Sequence, residues 1–324
     1  MSSNIINWGI LGCGDVAEVK SGPAFQKVKQ SSLISVMRRN EDKVKDFAKR
    51  HDVAHWTTSA SELLNDEKVN AVYIATPPSS HLSYTLEAIK AGKNVYLEKP
   101  MVLNSKEANT LVEAVNNSSA KVTVAHYRRS LPLFVKVKEL LDANVIGKVL
   151  SAEIDIAQSQ NANLIAKTDE NWRLNPEISG GGYFHDIAPH QIDLMYHYFG
   201  TVSKIAKGNV PEGVNLADWV KGEIIFENGV HFKGSWNFAA SEDSDVCTIK
   251  GEKGTLTFSF YSDEIKVETT DKTETFKFEN PKHVQQPMIE QVVSYFLGDS
   301  HQNPCSVEEA AIVTKIMDTF CEID

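Results

Sequence analysis

The feature that most constrains this chain is Gly12-Cys13-Gly14-Asp15-Val16-Ala17, a G-x-G-x-x-A run directly after the short apolar stretch at residues 5–11. In that setting the spacing predicts a strand, a tight turn and a helix. Gly12 permits the turn, Gly14 lets the backbone approach a pyrophosphate, and Ala17 keeps the helix against the strand. The helix N-terminus then offers unpaired N–H groups and the positive end of its dipole to phosphate oxygens. A tight strand-to-helix turn without a ligand uses the same residues, so the rest of the chain decides between the two.

Four more short apolar runs follow, at residues 33–37, 71–75, 94–97 and 122–125. They do not alternate, which fits parallel strands buried on both faces. Helix-like segments lie between them at 42–50, 59–64, 79–91 and 105–115. Strand and helix in alternation predict a doubly wound parallel sheet, a Rossmann-type dinucleotide-binding domain over residues 1–125. Beyond residue 127 the pattern changes. A helix is expected at 133–143, then strands at 150–157, 219–226, 230–236, 246–250, 255–260, 264–269 and 273–278. Turn signals such as Glu227-Asn228-Gly229 and Gly251-Glu252-Lys253-Gly254 separate them, as in antiparallel meanders. Helices are expected at 186–198, 288–297 and 307–320. Residues 126–324 therefore read as an α+β domain with one large open, mostly antiparallel sheet, and the closing helices are expected to pack back on the first domain. A length of 324 residues suits two domains.

Charge narrows the partners. With 43 acidic and 33 basic residues the net charge is -10, the wrong sign for a general nucleic-acid binder. No apolar stretch approaches the ~20 residues of a membrane span, and the N-terminal residues carry no signal-peptide pattern. Cys13, Cys247, Cys305 and Cys321 show no metal-ligand spacing. The expectation is a cytoplasmic protein with free thiols, acting on a small molecule.

The second strand's end bears on cofactor choice. An NAD-binding domain places an acid there for the ribose 2′-hydroxyl. Here the chain reads Val36-Met37-Arg38-Arg39-Asn40, and Arg38 stands 21 positions after Ala17. Two guanidinium groups suit a 2′-phosphate, so NADP(H) is favoured over NAD(H). After the third strand, Thr76 and Pro77 are placed to line the nicotinamide side. His81 opens the following helix, in a local supporting role.

Glu98-Lys99-Pro100 follows the fourth strand and sets a lysine at the sheet's carboxyl edge. Further on, Trp172-Arg173 precedes Gly180-Gly181-Gly182 and then Asp186-Ile187-Ala188-Pro189-His190. A helix is expected to start near Asp186, because proline is tolerated in a first turn. Asp186 and His190, four apart, then share one helical face, where a carboxylate can orient an imidazole acting as general acid/base.

The ordered set resembles the glucose–fructose oxidoreductase / inositol dehydrogenase / rhizopine-catabolism oxidoreductase family. The carrying residues are Gly12, Gly14 and Ala17, then Ala75-Thr76-Pro77-Pro78, Glu98-Lys99-Pro100, and Gly180-Gly181-Gly182 with Asp186 and His190. The resemblance implies catalytic roles for Lys99, Asp186 and His190. It also implies a sugar, cyclitol or polyol substrate, and homodimers or homotetramers built on the second domain's sheet. Arg38 departs from the acid found in many relatives. The cofactor-facing set is then Gly12, Cys13, Gly14, Asp15, Val16, Arg38, Arg39, Thr76, Pro77, His81, Glu98 and Lys99. Tyr127, Arg128, Trp172 and Arg173 are candidate substrate contacts, Arg128 and Arg173 reading equally well as interdomain salt bridges, and the polar segment 158–170 is a candidate flap. No metal is called for, since the cofactor carries the hydride. Two other readings stay open at this point: a non-catalytic dinucleotide-binding regulator, and a relative that uses NAD to cleave glycosidic bonds.

Overall fold

The computed structural model describes residues 5–159, 172–206, 208 and 218–322. The chain divides into two compact units, Met1–Tyr127 with Pro281–Ile312, and Arg128–Asn280 with Val313–Asp324.

Among the described residues, the first unit is built on a six-stranded sheet. Its strands are β1 (Ile6–Leu11), β2 (Ser31–Met37), β3 (His55–Thr57), β4 (Ala71–Ile74), β5 (Asn94–Leu97) and β6 (Val122–Val124), in the order β3-β2-β1-β4-β5-β6. All neighbours pair in parallel. Strand order reverses between β1 and β4, so the carboxyl ends of these strands frame the crevice where such sheets take ligands. The central strands are buried over most of their length, and β4 is buried at every position. That is why they lack alternation. β3 is the strand the sequence does not announce: it has three residues, two of them exposed, at the sheet's edge. Helices with polar caps cover the sheet. Asn40, Ser59 and Asn104 each accept an N–H from the first turn of their helix. The helix Gln286–Leu297 also belongs to this unit, where the rings of Phe296 and Trp8 lie 5.7 Å apart.

The second unit holds an eight-stranded sheet among its described residues. Its strands are β7 (Val149–Ser159), β8 (Val202–Ala206), β9 (Trp219–Phe226), β10 (His231–Ala240), β11 (Ser244–Gly251), β12 (Gly254–Phe258), β13 (Glu264–Thr269) and β14 (Thr273–Lys277). The order is β14-β13-β12-β11-β7-β10-β9-β8, antiparallel except for the β7–β10 pair. Here the strands do alternate. Ile154, Ile156, Phe232, Trp236, Ile249 and Leu256 are buried, while Glu153, Asp155, Lys221 and Lys233 point the other way. A one-residue slip would turn every apolar side chain outward, so the pattern fixes the register.

Two helices, together with Phe320, cover the apolar face among the described residues. Pro132–Asp142 brings the Phe134 ring to 6.0 Å from Phe258, and Tyr183–Phe199 brings Phe184 to 5.3 Å from Trp236. Each fully buried aromatic of this kind contributes about 1.5–3 kcal/mol from burial alone. The second helix corrects one expectation. It begins at Tyr183, after Gly182, so Pro189 lies inside it rather than in its first turn. Proline has no N–H for the carbonyl four residues back. The flanking turns hold because thirteen of the helix's seventeen residues are buried, so packing outweighs the missing bond.

Candidate functional site

The glycine loop closes as the G-x-G spacing demands. The N–H groups of Gly12 and Cys13 both donate to Met37 O, at 2.9 and 3.2 Å, tying the loop to the end of β2. Gly12 has φ +92°, and a Cβ there would come within 2.8 Å of the Thr76 backbone nitrogen, so no other residue fits. Above Gly14 nothing lies within 4 Å of the position a Cβ would take. That open approach, at the start of the helix that follows, suits a pyrophosphate. Asp15 is exposed and Val16 half-buried at the same mouth. The Cys13 thiol is buried, and burial pushes its pKa up to about 11, which makes it inert.

Arg38 leaves β2 half-buried, and its Nη1 donates to Cys13 O at 3.2 Å. The guanidinium is thereby drawn across the glycine loop. Arg39 beside it is exposed. Among the described residues neither arginine is paired with a carboxylate. A fixed, uncompensated guanidinium at the end of β2 suits an adenosine 2′-phosphate.

Thr76 and Pro77, after β4, are half-buried, and Ser80 Oγ donates to Thr76 Oγ1 at 2.8 Å. His81 is buried, with Nε2 2.7 Å from Thr76 O and Nδ1 2.9 Å from Pro100 O. It spans from the loop after β4 to the turn after β5. Burial lowers its pKa, against the opposing pull of the two carbonyls and Glu98.

Lys99 is half-buried on the turn after β5, and the Lys99–Pro100 peptide is cis. Glu98 turns its carboxylate inward: Oε1 accepts from Tyr73 Oη and from Gln285 Nε2 at 2.6 Å, and Oε2 accepts the Lys99 N–H at 3.1 Å. Three donors share one buried charge, which is how a carboxylate is tolerated at 5% exposure. Neither Tyr73 nor Gln285 carries a motif signal, and the sequence does not point to them.

In the second unit, the helix Tyr183–Phe199 aligns Asp186, His190 and Asp193 along one stripe, at intervals of four and three residues. Both carboxylates are held by guanidinium groups. Arg173 Nε lies 2.7 Å from Asp186 Oδ2. Arg129 grips Asp193 with two prongs, Nε to Oδ2 at 2.9 Å and Nη2 to Oδ1 at 2.7 Å. Arg173 also stacks 4.6 Å from the Trp172 ring centre. His190 is buried between the two acids along the stripe. His185 packs against the glycine run: a Cβ on Gly181 would lie 2.2 Å from its ring. Burial pushes the His185 pKa down to about 4. Arg128 is buried too, donating to Phe260 O and lying 4.6 Å from the Tyr261 ring. Tyr127 is buried in the first unit. Of the candidate flap, residues 160–170 lie outside the described residues.

Comparison with known proteins matches both parts of the chain. Residues 6–126 match the GFO_IDH_MocA model, described as an oxidoreductase family with an NAD-binding Rossmann fold. Residues 134–257 match the GFO/IDH/MocA C-terminal domain. An oxidoreductase of Formosa agariphila is 66% identical over 98% of both chains. The scyllo-inositol 2-dehydrogenase (NADP(+)) of Bacillus subtilis is 27% identical over 63% of this chain and 54% of its own. In fold, the chain is similar to the crystal structure of an oxidoreductase domain protein from Kribbella flavida. Their TM-score is 0.86 at 18% identity, covering 98% of this chain and 96% of that one.

Proposed function

The chain belongs to the GFO/IDH/MocA oxidoreductase family, and from that premise we propose that it is an NADP(H)-dependent dehydrogenase or reductase of a sugar, cyclitol or related polyol. One observation carries the reading. The carboxyl edge of a single parallel sheet bears the open glycine loop after β1, Thr76 and Pro77 after β4, and Lys99 after β5. In the proposed site Gly12 to Val16 hold the pyrophosphate, and Arg38 with Arg39 holds the 2′-phosphate. The nicotinamide supplies the hydride acceptor or donor.

The chain's own residues do the rest. Lys99 bonds the reacting oxygen and stabilises its developing negative charge. His190 accepts the hydroxyl proton in oxidation and returns it in reduction. One feature favours His190 for that proton: the acids on its stripe are engaged by Arg173 and Arg129. Asp186, fixed by Arg173, orients the imidazole or a substrate hydroxyl rather than acting as a base. Tyr127, Arg128 and Trp172 are assigned to substrate contact at lower rank, since Arg128 already braces its own unit. The relative that acts on scyllo-inositol with NADP(+) supports both the substrate class and the cofactor.

We place the enzyme in the cytoplasm. We also assign it a homo-oligomer, dimer or tetramer, through the outer face of the eight-stranded sheet. That face sets Glu153 and Asp155 on β7 against Lys221 and Lys233 on β9 and β10, so a two-fold copy of it is complementary in charge.

The test is a paired titration of cofactor-free protein with NADPH and NADH, followed by a polyol and sugar screen with the tighter one. NADPH is expected to bind more tightly and to be consumed or formed with a polyhydroxylated partner. Binding of neither dinucleotide would overturn the reading.

A further inference from the structure

The helix behind the glycine loop contains a proline, and that proline shapes it. Residues Ala17–Ser21 form a π turn ahead of the short helix Gly22–Phe25. Pro23 has no N–H to give the carbonyl four residues back, Val19 O. Two residues from far along the chain reach this turn instead. His283 Nδ1 lies 2.9 Å from Val19 O, and the Gln285 backbone N–H donates to Lys20 O at 3.2 Å.

Gln285 also reaches the other way. Its side chain is fully buried, and both of its polar ends are used. Oε1 accepts from Tyr96 Oη at 3.0 Å, and Nε2 donates to Glu98 Oε1 at 2.6 Å. Glu98 Oε2 in turn takes the Lys99 N–H. A second path runs in parallel, since Ser21 Oγ, at the end of the same π turn, donates to Tyr73 Oη at 3.1 Å, and Tyr73 donates to Glu98 Oε1. The turn behind the glycine loop and the residue preceding Lys99 are therefore joined by two paths, one through the backbone and side chain of Gln285 and one through Ser21 and Tyr73.

We propose that Gln285 is a positioning residue that couples the dinucleotide-facing helix to Lys99. The inference rests on the reading of Lys99 as the group at the reacting oxygen. Its physical basis is the buried Glu98 charge. Without the Gln285 amide, Glu98 Oε1 keeps Tyr73 alone. The carboxylate then turns to recover a donor, and Lys99 loses the backbone contact that fixes it. A displacement of about 1 Å at a reacting group lowers rate on the order of a hundredfold.

Two variants test it, each measured for kcat, dinucleotide Kd and melting temperature. Gln285→Met keeps the volume and removes the side-chain bonds to Tyr96, Glu98 and Tyr73. It is expected to lower kcat roughly ten- to hundredfold and to weaken NADPH binding. Gln285→Glu has a sharper signature. Two carboxylates at this spacing hold one proton between them at low pH and repel when both ionise. The other titratable groups facing the pair are Tyr73, Tyr96, His81 and Lys99; burial keeps both tyrosines protonated. The rate of Gln285→Glu relative to wild type is therefore expected to fall as pH rises, within one folded protein. A flat ratio, or wild-type kcat and Kd in Gln285→Met alongside an inactive Lys99→Met, would overturn the coupling. An active Lys99→Met would instead overturn the reading of Lys99.

Discussion

Arg173 Nε stands 2.7 Å from Asp186 Oδ2, with both side chains largely buried, so the aspartate of the D-x-x-x-H run is neutralised before any substrate arrives. Breaking such a pair from one side leaves an uncompensated charge, at a cost of about 3–5 kcal/mol. Arg173→Met is therefore expected to be strongly destabilised and Arg173→Met/Asp186→Asn much less so. Urea unfolding of the single and double variants checks this. A double variant no more stable than Arg173→Met would contradict it.

The anchoring of Arg38 by Cys13 O predicts cofactor choice. Arg38→Asp removes the cation and supplies an acceptor for a ribose 2′-hydroxyl. The NADPH-to-NADH affinity ratio is expected to fall at least roughly tenfold, since a charge-assisted contact is worth about 1.5–3 kcal/mol. An unchanged ratio in fluorescence titrations would remove Arg38 from the 2′-phosphate.

His185 predicts a pH dependence of stability. Its pKa is pushed down to about 4 in the folded protein, against an ordinary value of 6.5. Between those values the unfolded chain binds a proton that the folded chain refuses, so stability is lost as pH falls below 6.5. The slope is about 1.4 kcal/mol per pH unit. Wild type should therefore lose about 2 kcal/mol more than His185→Gln between pH 7.5 and pH 5. Parallel unfolding curves for the two proteins would contradict this.

The outer sheet face predicts the assembly. Trp219 and Val246 are exposed there among the charges, at 43% and 41%. Lys221→Glu/Lys233→Glu reverses two of the cations beside Glu153 and Asp155, so that like charges would oppose one another across a two-fold axis. Light scattering should show dissociation to monomers with the fold intact. A smaller assembly is the expected result, and an unchanged mass would exclude this face as the interface.

Much of this architecture was legible in the residues. Runs buried on both faces announced β1, β2, β4, β5 and β6. Turn signals between short strand-like runs announced β7 and the strands from β9 onward. β3 and β8 were missed because these edge strands hardly bury their residues, one of three in β3 and none of five in β8, and so lose the apolar signal. The helix start was placed three residues late because Pro189 was weighed as a first-turn residue, and local preference yielded to packing. In the candidate site, glycine spacing and the E-K-P and D-x-x-x-H runs stood out because their chemistry demands rare combinations. The supporting contacts did not. Gln285 meets Glu98 across 187 positions, and nothing local to either residue records it. Arg173 reads in sequence equally as a substrate contact or as an interdomain salt bridge, and only the folded chain names Asp186 as its partner.

The central claim is that Lys99 and His190 act on the reacting oxygen while other residues hold the dinucleotide. Lys99→Met and His190→Asn, each titrated with NADPH and then followed in a single turnover with the substrate found by the screen, test it most directly. Hydride transfer is expected to fall roughly a hundredfold or more in each, with the NADPH Kd nearly unchanged. Near wild-type transfer in either variant would contradict the assigned roles.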